Sequence, residues 1–124
     1  MKVLLSIKPK YAQQIFDGYK RYEYRRSLFK KEGVKHILVY ASSPIKRIIG
    51  EFEILNIIYD DIEKLWEKTK VYSGISKSAF FTYFSNKDKG YAIEIGRITK
   101  YENPIILDKH YGITPPQSFA YISQ

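Results

Sequence analysis

The sequence predicts an α+β fold, a single domain over residues 1–124 built on a mixed, curved sheet with flanking helices. Three observations carry this expectation. At least five short runs alternate apolar and polar residues with the two-residue period of a strand. Helical patterns fall between those runs without regular strand–helix–strand alternation, which disfavours a doubly wound parallel sheet. The length, 124 residues, suits one core, and five or more short strands in so small a chain are expected to close into a β-barrel.

The elements follow in order. In the first run Val3, Leu5 and Ile7 alternate with Lys2, Leu4 and Ser6, a buried strand. Pro9 suits the first turn of a helix whose apolar face is Ala12, Ile15 and Phe16, and Gly18 suits its end. "RYEYRR" alternates again, with Tyr22 and Tyr24 on one side and Glu23 and Arg25 on the other. "FKKEGVK" is a polar turn. "HILVYA" is β-prone throughout and reads as a central strand. After the loop "SSPIKR", "IIGEFEILNIIY" is a further strand in which Gly50 marks a bulge. Asp60 or Asp61 is placed to cap a helix carrying Ile62, Leu65, Trp66 and Thr69, and Ser76 to cap a second with Phe80, Phe81 and Phe84. Trp66 and the "FFTYF" aromatics have helical spacing, which fits core better than a stacking platform. "YAIEIGRITKYE" is another alternating strand. The last 22 residues read as irregular but apolar chain packed back on the body.

Composition narrows the function. Hydrophobic content of 44% and charged content of 27% are those of a soluble globular domain, and no apolar run approaches the roughly 18 residues of a membrane span. "MKVLLSIKPK" reads as a first strand rather than a signal peptide, so the cytoplasm is the simplest location. With no cysteine, and with His36 and His110 far apart, no metal or other cofactor is expected. The net charge of +8 is unevenly spread. Residues 1–49 hold twelve Lys or Arg against three Asp or Glu, and residues 50–124 hold nine against ten. A basic excess confined to one part of the chain points to a polyanionic partner or an anionic substrate, with solubility alone as the plain alternative.

Within the basic part, "GYKRYEYRR" sets a lone acid among cations. Glu23 and Arg25, two residues apart on a strand, face the same side about 7 Å apart, and Lys20 at the helix–strand junction is within reach of them. Arg25 suits bidentate contacts to phosphate or a base edge. Glu23 can accept from an exocyclic amine or act as a general base. From spacing alone this constellation and a plain surface strand with internal ion pairs stand level. Lys8 and Lys10 bracket Pro9 at a helix start, where backbone amides favour anions. Tyr40 and Ser42 belong to a strand-end segment "YASSP" that reads first as a turn, with Lys46 just beyond it. Gln117, between a diproline and Phe119, is placed to read a base edge if its segment crosses a pocket mouth. No serine or cysteine stands with a histidine and an acid as a nucleophilic triad.

The segment "SIKPKYAQQIFDGYKRYEYR", Ser6 to Arg25, resembles the ASCH domain, a family within the PUA-like β-barrels. Its pattern Gly-x-Lys-x-x-Glu-x-Arg stands here as Gly18, Lys20, Glu23 and Arg25. "VYASSPIKRIIGEFEI" and "KGYAIEIG" are similar to the later barrel strands. The resemblance implies a small PUA-like barrel with a cleft that binds RNA or nucleotides. In some relatives it implies amidohydrolase or ribonuclease activity. The amidohydrolase type uses a lysine, a threonine and a later glutamate. Lys20 matches the lysine, whereas Glu23 stands at the threonine position.

These readings give an expected function. The chain is expected to bind RNA or a nucleotide-like ligand, with single-stranded DNA as a further candidate. The expected contact residues are Lys8, Lys10, Lys20, Glu23, Arg25, Arg26, Tyr40, Ser42, Lys46 and Gln117. The alternatives are a small hydrolase with Lys20 and Glu23 catalytic, and a basic surface for an acidic protein partner. The helices beyond Asp60 are acidic or aromatic, which disfavours a helix-turn-helix reader of DNA.

Overall fold

A computed structural model describes residues 1–123. Its elements are β1 (Lys2–Ile7), α1 (Pro9–Phe16), β2 (Tyr22–Arg25), β3 (His36–Ala41), β4 (Arg47–Asp61), α2 (Ile62–Thr69), a 3-10 turn (Lys70–Tyr72), α3 (Lys77–Tyr83), β5 (Lys89–Ile105), α4 (Leu107–Tyr111) and β6 (Phe119–Ile122). The α+β class is as expected. None of the described helices is long and apolar enough to cross a membrane.

Six strands form one mixed sheet in the order β2-β5-β4-β3-β1-β6. β1 runs parallel to β3, and the other pairs are antiparallel. The long strands β4 and β5 are its spine. Their pairing slips at Ile48/Gly50, Phe52/Ile54 and Ile54/Asn56, and each slip adds bend and twist. The curl brings β2 back towards β1, where the Arg25 guanidinium donates to the Ser6 carbonyl oxygen at 3.0 Å. β2 and β6 nonetheless remain edges. The barrel closure expected from strand number is therefore not observed, and a side chain spans part of the gap where a backbone ladder would have closed it.

Three apolar clusters explain the strand patterns. On one face Val3, Leu5 and Ile7 meet Ile37, Val39, Phe52 and Ile93 under Ala12 and Ile15 of α1. Beyond them Tyr24 and Ala92 pack with Leu65, Trp66, Phe80 and Phe84 of α2 and α3. Leu4, Leu38 and Ile48 form the third cluster, closed by Leu107 and Ile122. β1 and β3 are thus covered on both faces, which is why "KVLLSI" and "HILVYA" read as nearly continuous apolar runs.

Local signals are kept unevenly. Gly18 follows α1 in the left-handed region at φ 85° and ends the helix, as expected. Ser76 caps α3 by accepting from the Ala79 amide at 3.0 Å. Asp61 occupies the N-cap position just before α2 but makes no side-chain cap, while the Asp60 carboxylate accepts from the Asp61 amide and from Lys68. The tail is more regular than expected, because β6 pairs antiparallel with β1.

Gly50 lies at a bulge as predicted, and its reason is a close approach. A Cβ there would come within 2.5 Å of both the Phe16 ring and the Thr99 carbonyl oxygen. Gly50→Ala is expected to cost about 1–3 kcal/mol through overpacking. Chemical denaturation checks this, and a loss under 0.5 kcal/mol would mean the bulge yields freely.

Candidate functional site

The last residues of β1 anchor both rims of a large cleft. The Ser6 amide donates to the Ser118 carbonyl oxygen at 3.2 Å and the Ser6 hydroxyl to that of Pro116 at 2.7 Å. This ties down the 115–118 segment. The Ser42 amide donates to the Ile7 carbonyl oxygen at 3.0 Å and fixes the β3–β4 loop. Between these segments, the edge of β2 and the start of α1 lies a cleft of about 1370 Å³, with α3 as its far wall.

Glu23 and Arg25 share one face of β2, as the alternation requires. Arg25 Nη2 lies 2.8 Å from Glu23 Oε2, with the two side chains 11% and 9% exposed. The same Nη2 donates to Ser6, while Arg25 Nε is buried without a protein partner. The opposite face carries Tyr24, whose hydroxyl donates to Thr69 Oγ1 at 2.7 Å and whose ring packs edge-on against Phe80.

The ten expected residues divide. Lys8, Glu23, Arg25, Arg26, Tyr40, Ser42, Lys46 and Gln117 line the cleft. The lining contains four cations and one acid, and that acid is already paired with Arg25. Among the described residues no carboxylate pairs with Lys8 or Lys46. Lys46 sits at φ 54°, a left-handed backbone uncommon outside glycine. Lys10 is exposed on α1 and outside the lining.

Lys20 is also outside the lining. It is 2% exposed, its Nζ donates to the Ser73 carbonyl oxygen at 2.7 Å, and it lies 4.8 Å from the Tyr24 ring centre and 5.2 Å from that of Tyr11. Tyr11, Glu23 and Tyr24 do line the cleft, so Lys20 stands directly behind its wall. Burial pushes the ammonium down to about 8, Glu23 opposes that shift, and Arg25 adds to it.

This has a consequence for stability. The folded value of about 8 lies below the ordinary 10.5. Between those values the unfolded chain holds a proton that the folded chain has released, so stability rises with pH. Below pH 8 the full burial cost, on the order of 3 kcal/mol, is present. Lys20→Met is expected to remove the rise between pH 8 and 10 and to leave the protein folded at pH 7. Urea melts of both proteins at pH 7, 8 and 10 check this. Equal slopes in the two would contradict the assignment. The upper bound is set by Tyr24, whose hydroxyl burial pushes up to about 12 and whose own contribution has the opposite sign above pH 10.

The sequence reading missed the α3 wall, where Ser76, Ser78, Thr82 and Tyr83 face the cleft, and it missed Tyr11. The signal was present in "SKSAFFTYF". Phe80 and Phe84 are buried and Phe81 is half-buried, while Ser78, Thr82 and Tyr83, with Ser76 at the cap, form the exposed side of the same helix. Ser118 also lines the cleft and is not among the residues expected there.

Comparison with known proteins adds the family. A ribosomal protein of Ureaplasma parvum, large ribosomal subunit protein uL22, is 32% identical over 122 residues. That match covers 97% of this chain but 39% of the relative, so the chain spans about two fifths of its length. An ASCH domain-containing ribonuclease of Zymomonas mobilis is 27% identical over 98% of this chain and 84% of that protein. The crystal structure of ASCH from Zymomonas mobilis superposes with a TM-score of 0.91 at 25% identity, covering 99% of this chain and 88% of the other. The family model for the ASCH domain matches residues 5–104, a span that runs from β1 almost to the end of β5 and takes in the Gly18, Lys20, Glu23 and Arg25 pattern. On that match the chain belongs to the ASCH domain family.

Proposed function

We propose that the cleft binds single-stranded RNA through its phosphates and exposed bases. The observation that carries this is the convergence of Lys8, Arg26 and Lys46 on one concavity whose sole lining acid, Glu23, is already neutralised by Arg25. The cleft exceeds the roughly 300–1,000 Å³ of small-molecule sites, which suits several nucleotides better than one. Lys8 and Lys46 engage phosphates. Arg25 and Glu23 present a guanidinium edge and a carboxylate oxygen to a base, and Gln117 at the rim adds an amide. The ribosomal and ribonuclease relatives favour RNA over DNA as the ligand.

Fluorescence anisotropy with a labelled trinucleotide at low salt tests this. Saturable binding to single-stranded RNA, weaker binding to the DNA equivalent and none to duplex is the expected result. No binding to any single strand overturns it.

A second reading, RNA cleavage in the same cleft, draws on the Zymomonas ribonuclease. In it Glu23 accepts the proton of a 2′-hydroxyl, the 2′-oxygen attacks the adjacent phosphorus to give a 2′,3′-cyclic phosphate, the 5′-oxygen leaves and takes a proton from water, and Lys46 stabilises the charge on the phosphoryl oxygens. Lys20 then acts from behind the wall by setting the field at Glu23. Incubation with RNA decides between the readings. Product that forms equally with Glu23→Gln and Lys20→Met removes both residues from the chemistry, and no product at all leaves binding alone.

A further inference from the structure

A second concavity, of about 420 Å³, opens beside the main cleft and shares Arg26 and Ser27 with it. Its lining includes four cations, Arg26, Lys30, Lys87 and Lys89, and no acid. Its floor is aromatic. Tyr59 of β4 and Tyr91 of β5 face each other in register, their rings stacked with centres 4.4 Å apart at 29°. Tyr59 is 55% exposed, although it sits on the sheet's long strand pair rather than on a loop. Lys89 Nζ lies 5.5 Å from its ring centre.

Two features set this place apart from an ordinary basic surface. The first is the fixed boundary. Arg26 Nη1 donates to the carbonyl oxygens of Tyr83 and Ser85, each at 2.8 Å, which holds its guanidinium where the two concavities meet. The second is that no carboxylate enters the lining. Asp60 and Asp61 pair with Lys68 and Lys64, and Asp88, exposed and with no ion pair among the described residues, lies outside it. Lys30, Lys87 and Lys89 have no carboxylate partner among the described residues. An exposed ring on a rigid support, flanked by unpaired cations, is the arrangement that holds a single strand without regard to sequence, with bases on the ring and phosphates on the lysines.

We propose that Tyr59, with Tyr91 behind it and Lys30, Lys87 and Lys89 around it, forms an extension subsite for the strand that occupies the main cleft. The strand passes Arg26, stacks a base on Tyr59, and places its next phosphates against the lysines. This rests on the RNA-binding reading of the main cleft and extends it to a longer ligand.

The test uses labelled oligouridylates of about three and about nine nucleotides, within and beyond the reach of the main cleft. Three variants are compared with the wild type: Tyr59→Ala, Tyr59→Trp, and Lys87→Glu with Lys89→Glu. All change exposed residues, and melting temperatures confirm folding. The nonamer is expected to bind tighter than the trimer. Tyr59→Ala should weaken the nonamer about tenfold and leave the trimer unchanged, and Tyr59→Trp should restore it. The double lysine variant should weaken the nonamer and lower its salt slope by about 1–2. Equal nonamer affinity in the wild type and both loss variants, with trimer binding intact, overturns the subsite alone. Failure of the wild type to bind either length overturns the cleft reading and the subsite together. Capture of an acidic peptide at Tyr59 with no length dependence in RNA binding assigns the surface to a protein instead and likewise overturns the subsite.

Discussion

Glu23→Ala is expected to cost about 3–5 kcal/mol of stability, because it strands a buried guanidinium. Arg25 is 11% exposed and cannot shed its charge. In the folded protein Glu23 is its ion-pair partner at 2.8 Å, and the Ser6 carbonyl oxygen alone cannot replace a carboxylate. Glu23 also opposes the downward shift of Lys20, so its removal leaves that ammonium less supported as well. For a domain of this length the loss corresponds to roughly 10–20 °C in melting temperature. Glu23→Gln should cost less, since the amide oxygen still accepts from Arg25. The double variant Glu23→Ala with Arg25→Met should recover much of the loss, because no buried charge then remains unpaired. Thermal melts of the three proteins check this. A Glu23→Ala protein within 1 kcal/mol of wild type would show that water reaches Arg25 freely and that the pair is a surface contact.

Lys8→Glu with Lys46→Glu is expected to weaken RNA binding on the order of 100-fold while leaving the fold intact. Both lysines are exposed, both line the cleft, and neither has a carboxylate partner among the described residues. Each charge-assisted phosphate contact is worth about 1.5 kcal/mol, and two such losses give about two decades of affinity. Reversal adds repulsion to the loss. Stability should hold or improve slightly, since net positive charge falls in the more basic part of the chain. The Lys10→Glu variant is the control. Lys10 is equally exposed but lies outside the cleft, so it should change affinity by a few-fold at most through the overall field. Anisotropy titrations of the three proteins check this, and equal losses from Lys10 and from the cleft pair would reduce the effect to net charge.

The parts legible in the sequence are those set by local periodicity. β1, α1 and β2 follow from alternation at Val3, Leu5 and Ile7, from the Ala12 and Ile15 face, and from the left-handed end at Gly18. The shared face of Glu23 and Arg25 follows from the same rule. Lys20 escaped it because residues 17–21 are a turn, where the two-residue alternation does not run. The sequence set it beside Glu23 on the open face, and the structure buries it against Ser73. β6 was missed for another reason. "FAYI" forms a strand by pairing with β1, over a hundred residues away, and nothing within four residues announces that. The open edge between β2 and β6 was equally invisible, because strand number does not say which edges meet. The cleft joins residues from β1, the start of α1, β2, the β3–β4 loop, α3 and the 115–118 segment. Single residues in it could be nominated from chemistry, but their convergence depends on the curl that the bulges of β4 and β5 impose.

The salt dependence of binding of a 5′-phosphorylated trinucleotide, which carries three phosphates, tests the central claim most directly. Lys8, Arg26 and Lys46 acting on phosphates release about three counterions, so log K against log salt should fall with a slope near −2 for single-stranded RNA. The Lys8 and Lys46 double reversal should flatten it to near −1. A wild-type slope near zero, or a slope unchanged in the double variant, would contradict a cleft that holds RNA by its phosphates.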